Sequence, residues 1–138
     1  MPKTVHDVFC VAALLIANRA EAQTRKADPT EKKNTLIGTW ERTDLPAQYR
    51  QVKTYSDTHF TWVAYLAADG NVAAVGGGTY TFDGKTCKEK YVYGSGNINA
   101  FIKQEPPAFT IKFQGDGWVQ DGKAPNGAML HEVYRRAK

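Results

Sequence analysis

The sequence lacks most of the features that mark metalloproteins, cofactor-dependent enzymes and nucleic-acid-binding proteins. Its 138 residues include only two cysteines and three histidines, and a metal site needs three or four convergent ligands, so we expect no metal. The net charge of +4 is not concentrated in any run of five or six like charges, which argues against a nucleic-acid partner. The three glycines at 76–78 precede neither Lys-Ser/Thr nor a helix, so they are not a phosphate loop, and we expect no cofactor.

Long hydrophobic runs are also absent. The longest, Val8–Ala17, has ten apolar residues, which is too short to cross a bilayer, so no stable membrane insertion is expected. Lys3 precedes this run, and the small-x-small sequence AEA ends at Ala22, as in a cleaved signal peptide. We interpret residues 1–22 as a signal peptide and predict a secreted or periplasmic protein. The alternative is a short N-terminal helix packed on the domain.

Cleavage after Ala22 would remove Cys10 and leave Cys87 alone, so no intrachain disulfide could form. Residues 23–35 read as a polar leader. Residues 36–138 are long enough for one domain with a hydrophobic core, but not for two.

From Leu36 onward, short runs rich in Val, Thr, Tyr, Phe and Trp alternate with turn signals. Asp69-Gly70 and Asp83-Gly84 are typical of tight hairpin turns. The longest stretch without strand character, residues 94–107, predicts a loop or one helical turn. About eight strands in sequential order predict an all-β fold, an eight-stranded antiparallel up-and-down β-barrel, with a two-sheet sandwich as the alternative.

Strand alternation predicts an interior that is partly polar. The sequence AFTIKFQ places Phe109, Ile111 and Phe113 on one face, and CKEKYVYG places Glu89, Tyr91 and Tyr93 opposite two lysines. If the lysines face water, the tyrosines and the glutamate face inward, where polar groups need partners, water or a ligand. The glycines at 76–78 predict a bend or bulge in their strand.

Two short motifs carry a family resemblance. Gly38-Thr39-Trp40 at the start of the first strand resembles the G-x-W signature of the calycin superfamily, the lipocalins and fatty-acid-binding proteins. The resemblance implies that Trp40 plugs one barrel end beneath an arginine of the last strand, either Arg135 or Arg136. Sequences such as THFTWV and the ending EVYRR are similar to small secreted bacterial lipocalin-like proteins of uncharacterised function. The domain is shorter than a full lipocalin and lacks the lipocalin disulfide.

The same resemblance implies an interior ligand site on the last strand. In the fatty-acid-binding proteins an arginine and a tyrosine two residues apart hold a ligand carboxylate; here Glu132 stands in the arginine position and Tyr134 matches. We therefore expect a neutral or cationic ligand, because a carboxylate would face Glu132 in a low dielectric. The predicted ligand contacts are Trp62, Tyr80, Tyr91, Tyr93, Phe113, Trp118, Glu132 and Tyr134.

Other interpretations stay open at this point. Glu132 could instead pair with an interior cation such as Lys53 in a structural network. The barrel could be an isomerase, cyclase or hydrolase with Glu132, Tyr134 and His59 as catalytic candidates, His59 lying at a barrel mouth. A third possibility is an interaction module with a filled interior. The oligomeric state is unknown, a homodimer being one option.

Overall fold

The computed structural model describes residues 35–138. The predicted signal peptide and nearly all of the polar leader lie outside the described residues. Eight antiparallel strands, each paired with its neighbours in sequence order, close into a barrel through pairing of the first with the last, which confirms the predicted up-and-down barrel. The strands are β1 Gly38–Arg42, β2 Tyr49–Tyr55, β3 His59–Leu66, β4 Val72–Phe82, β5 Thr86–Gly94, β6 Ala108–Gln114, β7 Gly117–Lys123 and β8 Met129–Arg136.

The two Asp-Gly signals form turns as predicted. Gly70 and Gly84 have φ angles of 74° and 97°, a region that a side chain rarely tolerates. Each preceding aspartate accepts backbone N–H groups of the turn: Asp69 from Asn71 at 2.9 Å, and Asp83 from Lys85 at 2.8 Å. These turns set the register of β3 with β4 and of β4 with β5.

One end of the barrel is plugged by aromatic side chains. Trp40 packs edge-on against Trp118 with ring centroids 5.8 Å apart, and its indole N–H donates to the Leu36 carbonyl at 2.7 Å. The Arg136 guanidinium carbon lies 3.9 Å from the Trp40 ring centroid, and Nη1 donates to the Ile37 carbonyl at 3.1 Å. The expected closure of the barrel by a last-strand arginine over Trp40 is therefore confirmed, and the arginine is Arg136.

The opposite end is less completely paired. β5 and β6 share only the segment Thr86–Lys88 with Ala108–Thr110, although β5 continues to Gly94. A 3₁₀ helix, Gly96–Phe101, occupies the connection between these strands, which confirms the helical turn predicted there. Its Ile98 and Phe101 side chains reach inward at this end of the barrel.

The glycine run of β4 coincides with the predicted bulge. The register of β4 with β5 shifts between Gly77, opposite Tyr93, and Gly78, opposite Tyr91. A Cβ atom at Gly78 would lie 1.9 Å from the carbonyl oxygen of Lys90, so the strands could not approach this closely with any other residue there.

Within residues 35–138 there is no helix long and apolar enough to span a membrane.

Candidate ligand-binding cavity

The barrel interior holds a cavity of about 270 Å³ above the aromatic plug. Ala124, Asn126 and Ala128 of the β7–β8 turn contribute to its lining, which places it at the end opposite Trp40. The third interpretation, a barrel with a filled interior, is therefore not supported. The side chains that line the cavity form a mainly polar wall on β1, β2, β7 and β8, with Leu130 as its apolar member, and a mainly apolar wall on β3, β5, β6 and the 3₁₀ helix, with Glu89 as its charged member.

A buried ion pair crosses the floor of the cavity. Lys53 of β2 and Glu89 of β5 are 2% and 1% exposed, and Nζ lies 2.6 Å from Oε1. Glu89 also accepts a hydrogen bond from the hydroxyl of Tyr55, and Lys53 donates to Oε1 of Gln120 at 3.4 Å. The ammonium group lies 5.3–5.6 Å from three aromatic ring centroids, which adds cation–π attraction.

A second ion pair forms the polar wall. Arg42 Nη1 donates to Glu132 Oε1 at 2.9 Å, and Arg42 Nε donates to Asp44 at 2.8 Å. Glu132 Oε2 accepts a hydrogen bond from the Tyr134 hydroxyl at 2.9 Å. That hydroxyl in turn accepts from Gln51 Nε2 at 3.1 Å. Glu132 is thus paired with an interior cation in a structural network, as the alternative interpretation held; the cation is Arg42, and Lys53, the example given, is held by Glu89 instead.

Burial keeps the phenols of this interior protonated. Desolvation raises the pKa of Tyr134 well above its ordinary value, and the neighbouring Glu132 charge raises it further. The pKa of Tyr91 is raised by burial and then by the charge of Glu89. The pKa of Tyr55 is likewise raised, first by burial and then by the charge of Glu89. These hydroxyls therefore stay protonated throughout the physiological pH range, and those of Tyr55 and Tyr134 donate to carboxylates.

The apolar wall is built around Trp62 and Tyr91. The Trp62 indole N–H donates to the Tyr91 hydroxyl at 3.0 Å, so the polar atoms of both rings are partly satisfied within the wall. Phe101 of the 3₁₀ helix packs edge-on against Tyr91 with centroids 5.9 Å apart. Phe109 and Ile98 complete a surface suited to a flat, apolar ligand face.

The predicted ligand contacts fall into three groups. Trp62, Tyr91 and Glu132 line the cavity. Tyr80, Trp118 and Tyr134 belong to the buried core, although the Tyr134 hydroxyl supports Glu132. Tyr93 and Phe113 lie elsewhere, as does the catalytic candidate His59.

The inward orientation predicted for Tyr93 is wrong. Tyr93 is 45% exposed and donates to Thr61 Oγ1 at 2.5 Å on the outer surface. The bulge at Gly77 and Gly78 adds one residue, Val92, to β5 between two paired positions, so the alternation reverses after Tyr91.

Phe113 and His59 lie at the plugged end rather than beside the cavity. Phe113 is 43% exposed, packs edge-on against Phe82 with ring centroids 6.2 Å apart, and borders a surface pocket with Trp40 and Arg136. His59 is exposed at the start of β3 and shares a 2.7 Å hydrogen bond with Thr58. His59 therefore lies at the start of its strand as expected, but at the plugged end of the barrel, so it does not join Glu132 and Tyr134 in one catalytic set.

Sequence reasoning did not identify Arg42, Gln51 or Gln120 as parts of the cavity wall. Gln51 and Gln120 alternate with outward-facing residues, but nothing local distinguishes an inward glutamine from one at the rim. Arg42 stands two residues after Trp40 and therefore shares its inward face, which is the one signal that could have revealed it. Within residues 35–138 no cluster of His, Cys, Asp and Glu is arranged to hold a metal ion.

The fold and the cavity define a small closed antiparallel barrel whose architecture is consistent with a lipocalin-like fold. No protein-family model matches the chain, and no curated protein matches it in sequence.

Proposed function

We propose that this protein is a lipocalin-like barrel of the calycin superfamily that binds one small, partly aromatic molecule in the cavity. The observation that carries the proposal is the pairing of an aromatic wall with a hydrogen-bonding wall around an interior space of about 270 Å³. Ligand pockets usually begin near roughly 300 Å³, so the ligand is a molecule of one or two rings rather than a long lipid.

The charges of the cavity favour a neutral ligand. Glu132 alone predicts a neutral or cationic ligand, but the Arg42 guanidinium compensates the charge of that carboxylate. Lys53 and Glu89 likewise compensate each other. An ion entering the cavity would lose its hydration without gaining an unpaired counter-charge, which is unfavourable in a low dielectric.

A binding role accounts for Glu132 better than acid–base catalysis. Both carboxylate oxygens already accept hydrogen bonds, one from Arg42 and one from Tyr134. A general base needs an oxygen directed at the proton it abstracts, and both oxygens of Glu132 are engaged by these protein donors.

The test uses the indole N–H signals of the three tryptophans in an NMR titration with small neutral aromatics such as toluene and indole. We expect the Trp62 signal to shift, because Trp62 lines the cavity, while Trp40 shifts least. Leu130→Trp, which fills the cavity, should abolish the shift. His131→Trp, on the exposed outer face of the same strand, is the matched control and should bind normally.

Equal titration curves for these two variants would refute binding in the cavity. Native mass spectrometry of protein purified from its own host complements the titration, because a retained ligand would appear as a defined mass increment that Leu130→Trp lacks.

We also propose that the protein is exported and that residues 1–22 are removed. The support is the Lys3, Val8–Ala17 and AEA pattern of the N-terminus. Intact-mass measurement of protein from its host should give a chain that begins at Gln23. A chain that retains residues 1–22 would contradict the proposal.

A further inference from the structure

Two buried glutamine side chains of the polar wall use only one end of their amide group in hydrogen bonds with the described residues. Gln51 is 8% exposed and Gln120 is 1% exposed, and both line the cavity. Each makes one side-chain hydrogen bond with residues 35–138, which leaves the other end of each amide without a protein partner there. Among the described residues, Trp118 Nε1 is the only side-chain polar atom that is both fully enclosed and unpaired. The unpaired glutamine atoms are therefore not fully enclosed, and the space that they face is the cavity that both side chains line.

The orientation of each amide follows from the chemistry of its partner. Lys53 has only donors, so the Gln120 atom 3.4 Å from its ammonium must be the oxygen, and the NH₂ group is free. The Tyr134 hydroxyl gives its proton to Glu132, so it must accept from Gln51. The Gln51 atom that contacts it is therefore the nitrogen, and the Gln51 carbonyl oxygen is free.

The two free groups belong to one stretch of the wall. Gln120 of β7 is the cross-strand partner of Glu132 on β8, and Glu132 holds the tyrosine that fixes Gln51. Lys53, two residues after Gln51 on the same face of β2, reaches across to Gln120. The wall thus presents a carbonyl acceptor from β2 and an amide donor from β7 to the same cavity.

We propose that the cavity recognises a neutral carboxamide or cyclic amide attached to, or part of, an aromatic ring. Such a group carries an N–H donor and a C=O acceptor on one edge, which match the Gln51 carbonyl and the Gln120 NH₂. Its ring faces the wall formed by Trp62 and Tyr91, and its neutrality suits a cavity in which every charge is already compensated. The inference rests on the proposed binding function and specifies the ligand class.

The experiment compares four probes that share a phenyl ring and seven carbon atoms: benzamide, benzoate, benzylammonium and toluene. Dissociation constants come from the Trp62 indole shift. We expect benzamide to bind about tenfold or more tighter than each charged probe, and roughly fivefold or more tighter than toluene, because two net hydrogen bonds distinguish the amide. Benzamide no tighter than toluene would overturn the inference while leaving the binding function intact. Failure of all four probes to bind would overturn both.

Variants then test the two amides individually. Gln51→Leu and Gln120→Leu should each weaken benzamide binding about fivefold and leave toluene binding unchanged or tighter. Gln114→Leu, on the exposed end of β6, is the matched control and should change neither constant. Unchanged benzamide binding in both cavity variants would overturn the inference.

A charge-introducing variant provides a check that does not depend on removing a polar group. Gln51→Glu adds an uncompensated carboxylate to the cavity, because its oxygen replaces the Nε2 donor and the single Tyr134 hydroxyl proton is already given to Glu132. It should shift the preference from benzamide toward benzylammonium by tenfold or more. An unaltered preference would place the ligand away from Gln51 and contradict the proposal.

Discussion

Removing either member of the buried pair between Lys53 and Glu89 should destabilise the barrel strongly, whereas removing both charges should not. The two groups lie 2.6 Å apart and are almost completely excluded from solvent. At an effective dielectric constant of about 20, their attraction is about 6 kcal/mol. Desolvation costs several kcal/mol for each ion, so the intact pair contributes little net stability.

Neutralising one partner leaves that desolvation uncompensated. Lys53→Met leaves the Glu89 carboxylate with the Tyr55 hydroxyl as its remaining partner. Glu89→Gln leaves the ammonium with Gln120 and three ring faces. The free energy of unfolding of each single variant should fall by about 3–5 kcal/mol, which is a large fraction of the roughly 5–15 kcal/mol typical of a domain.

The double variant contains neither charge of this pair, and the introduced glutamine oxygen can still accept from Tyr55. We expect the double variant to lose less free energy of unfolding than either single variant, which makes it at least about 3 kcal/mol more stable than the sum of the single effects predicts. Urea unfolding followed by tryptophan fluorescence gives all three values, provided that the m-value is unchanged. The matched cycle on the exposed pair of Arg50 and Glu41, with side chains 54% and 22% exposed, should give a coupling below about 1 kcal/mol.

Single variants that cost less than about 1 kcal/mol, or a double variant equal to the sum of the singles, would refute the reasoning. The first result would mean that water reaches the pair. The second would mean that the two groups do not interact in solution.

Three further predictions concern other parts of the barrel. Arg136→Ala should lower the free energy of unfolding by about 1–2 kcal/mol, because it removes the cation–π contact with Trp40 and the hydrogen bond to the Ile37 carbonyl. Arg135→Ala removes only an exposed ion pair with Glu41 and should lower it by less than about 1 kcal/mol in the same denaturation assay. Hydrogen bonds from Arg135 and then from Arg50 lower the folded-state pKa of Glu41 below its ordinary 4.5, so its stabilisation is complete above that pH and is lost as pH falls through the folded-state pKa. Glu41→Gln should therefore flatten the acid limb of the stability curve, and parallel curves would contradict the assignment. Burial, followed by the Glu89 charge, raises the pKa of the buried Cys87 thiol to about 12. In a Cys10→Ser background, a thiol reagent at pH 8 should therefore label the protein only after unfolding. Rapid labelling of the native protein would show that the interior is open.

The strand order and closure of the barrel are predictable because their causes are local. Asp69-Gly70 and Asp83-Gly84 specify tight turns through glycine conformation and aspartate hydrogen bonds that need no tertiary context. Sequential strands joined by such turns pair as antiparallel neighbours, and eight of them remove exposed edges by closing. The resemblance carried by Gly38-Thr39-Trp40 added the position of the arginine over Trp40.

The orientation of Tyr93 could not be read from alternation, because a bulge changes the parity of every residue beyond it. The glycine run at 76–78 signalled the bulge, but the additional residue, Val92, lies on the partner strand β5. Gly78 is the residue that permits it, since a side chain there would meet the backbone of Lys90. Gly78, which permits the bulge, lies on β4, whereas Tyr93, whose orientation the bulge reverses, lies on β5. Only the register of the two strands connects them.

The partner of Glu132 depends on the register at which the barrel closes. Arg42 is ninety residues away in sequence but directly opposite Tyr134 in the pairing of β1 with β8, so its guanidinium reaches the carboxylate. A closure shifted by two residues would move Arg42 along the last strand and leave Glu132 as an uncompensated anion in the cavity, which is the arrangement that favours a cation. The observed closure cancels that charge, which is why the proposed ligand is neutral and its proposed recognition rests on the two glutamine amides. The proposed ligand class therefore depends on the register of one strand pair, a property that no local segment of the sequence encodes.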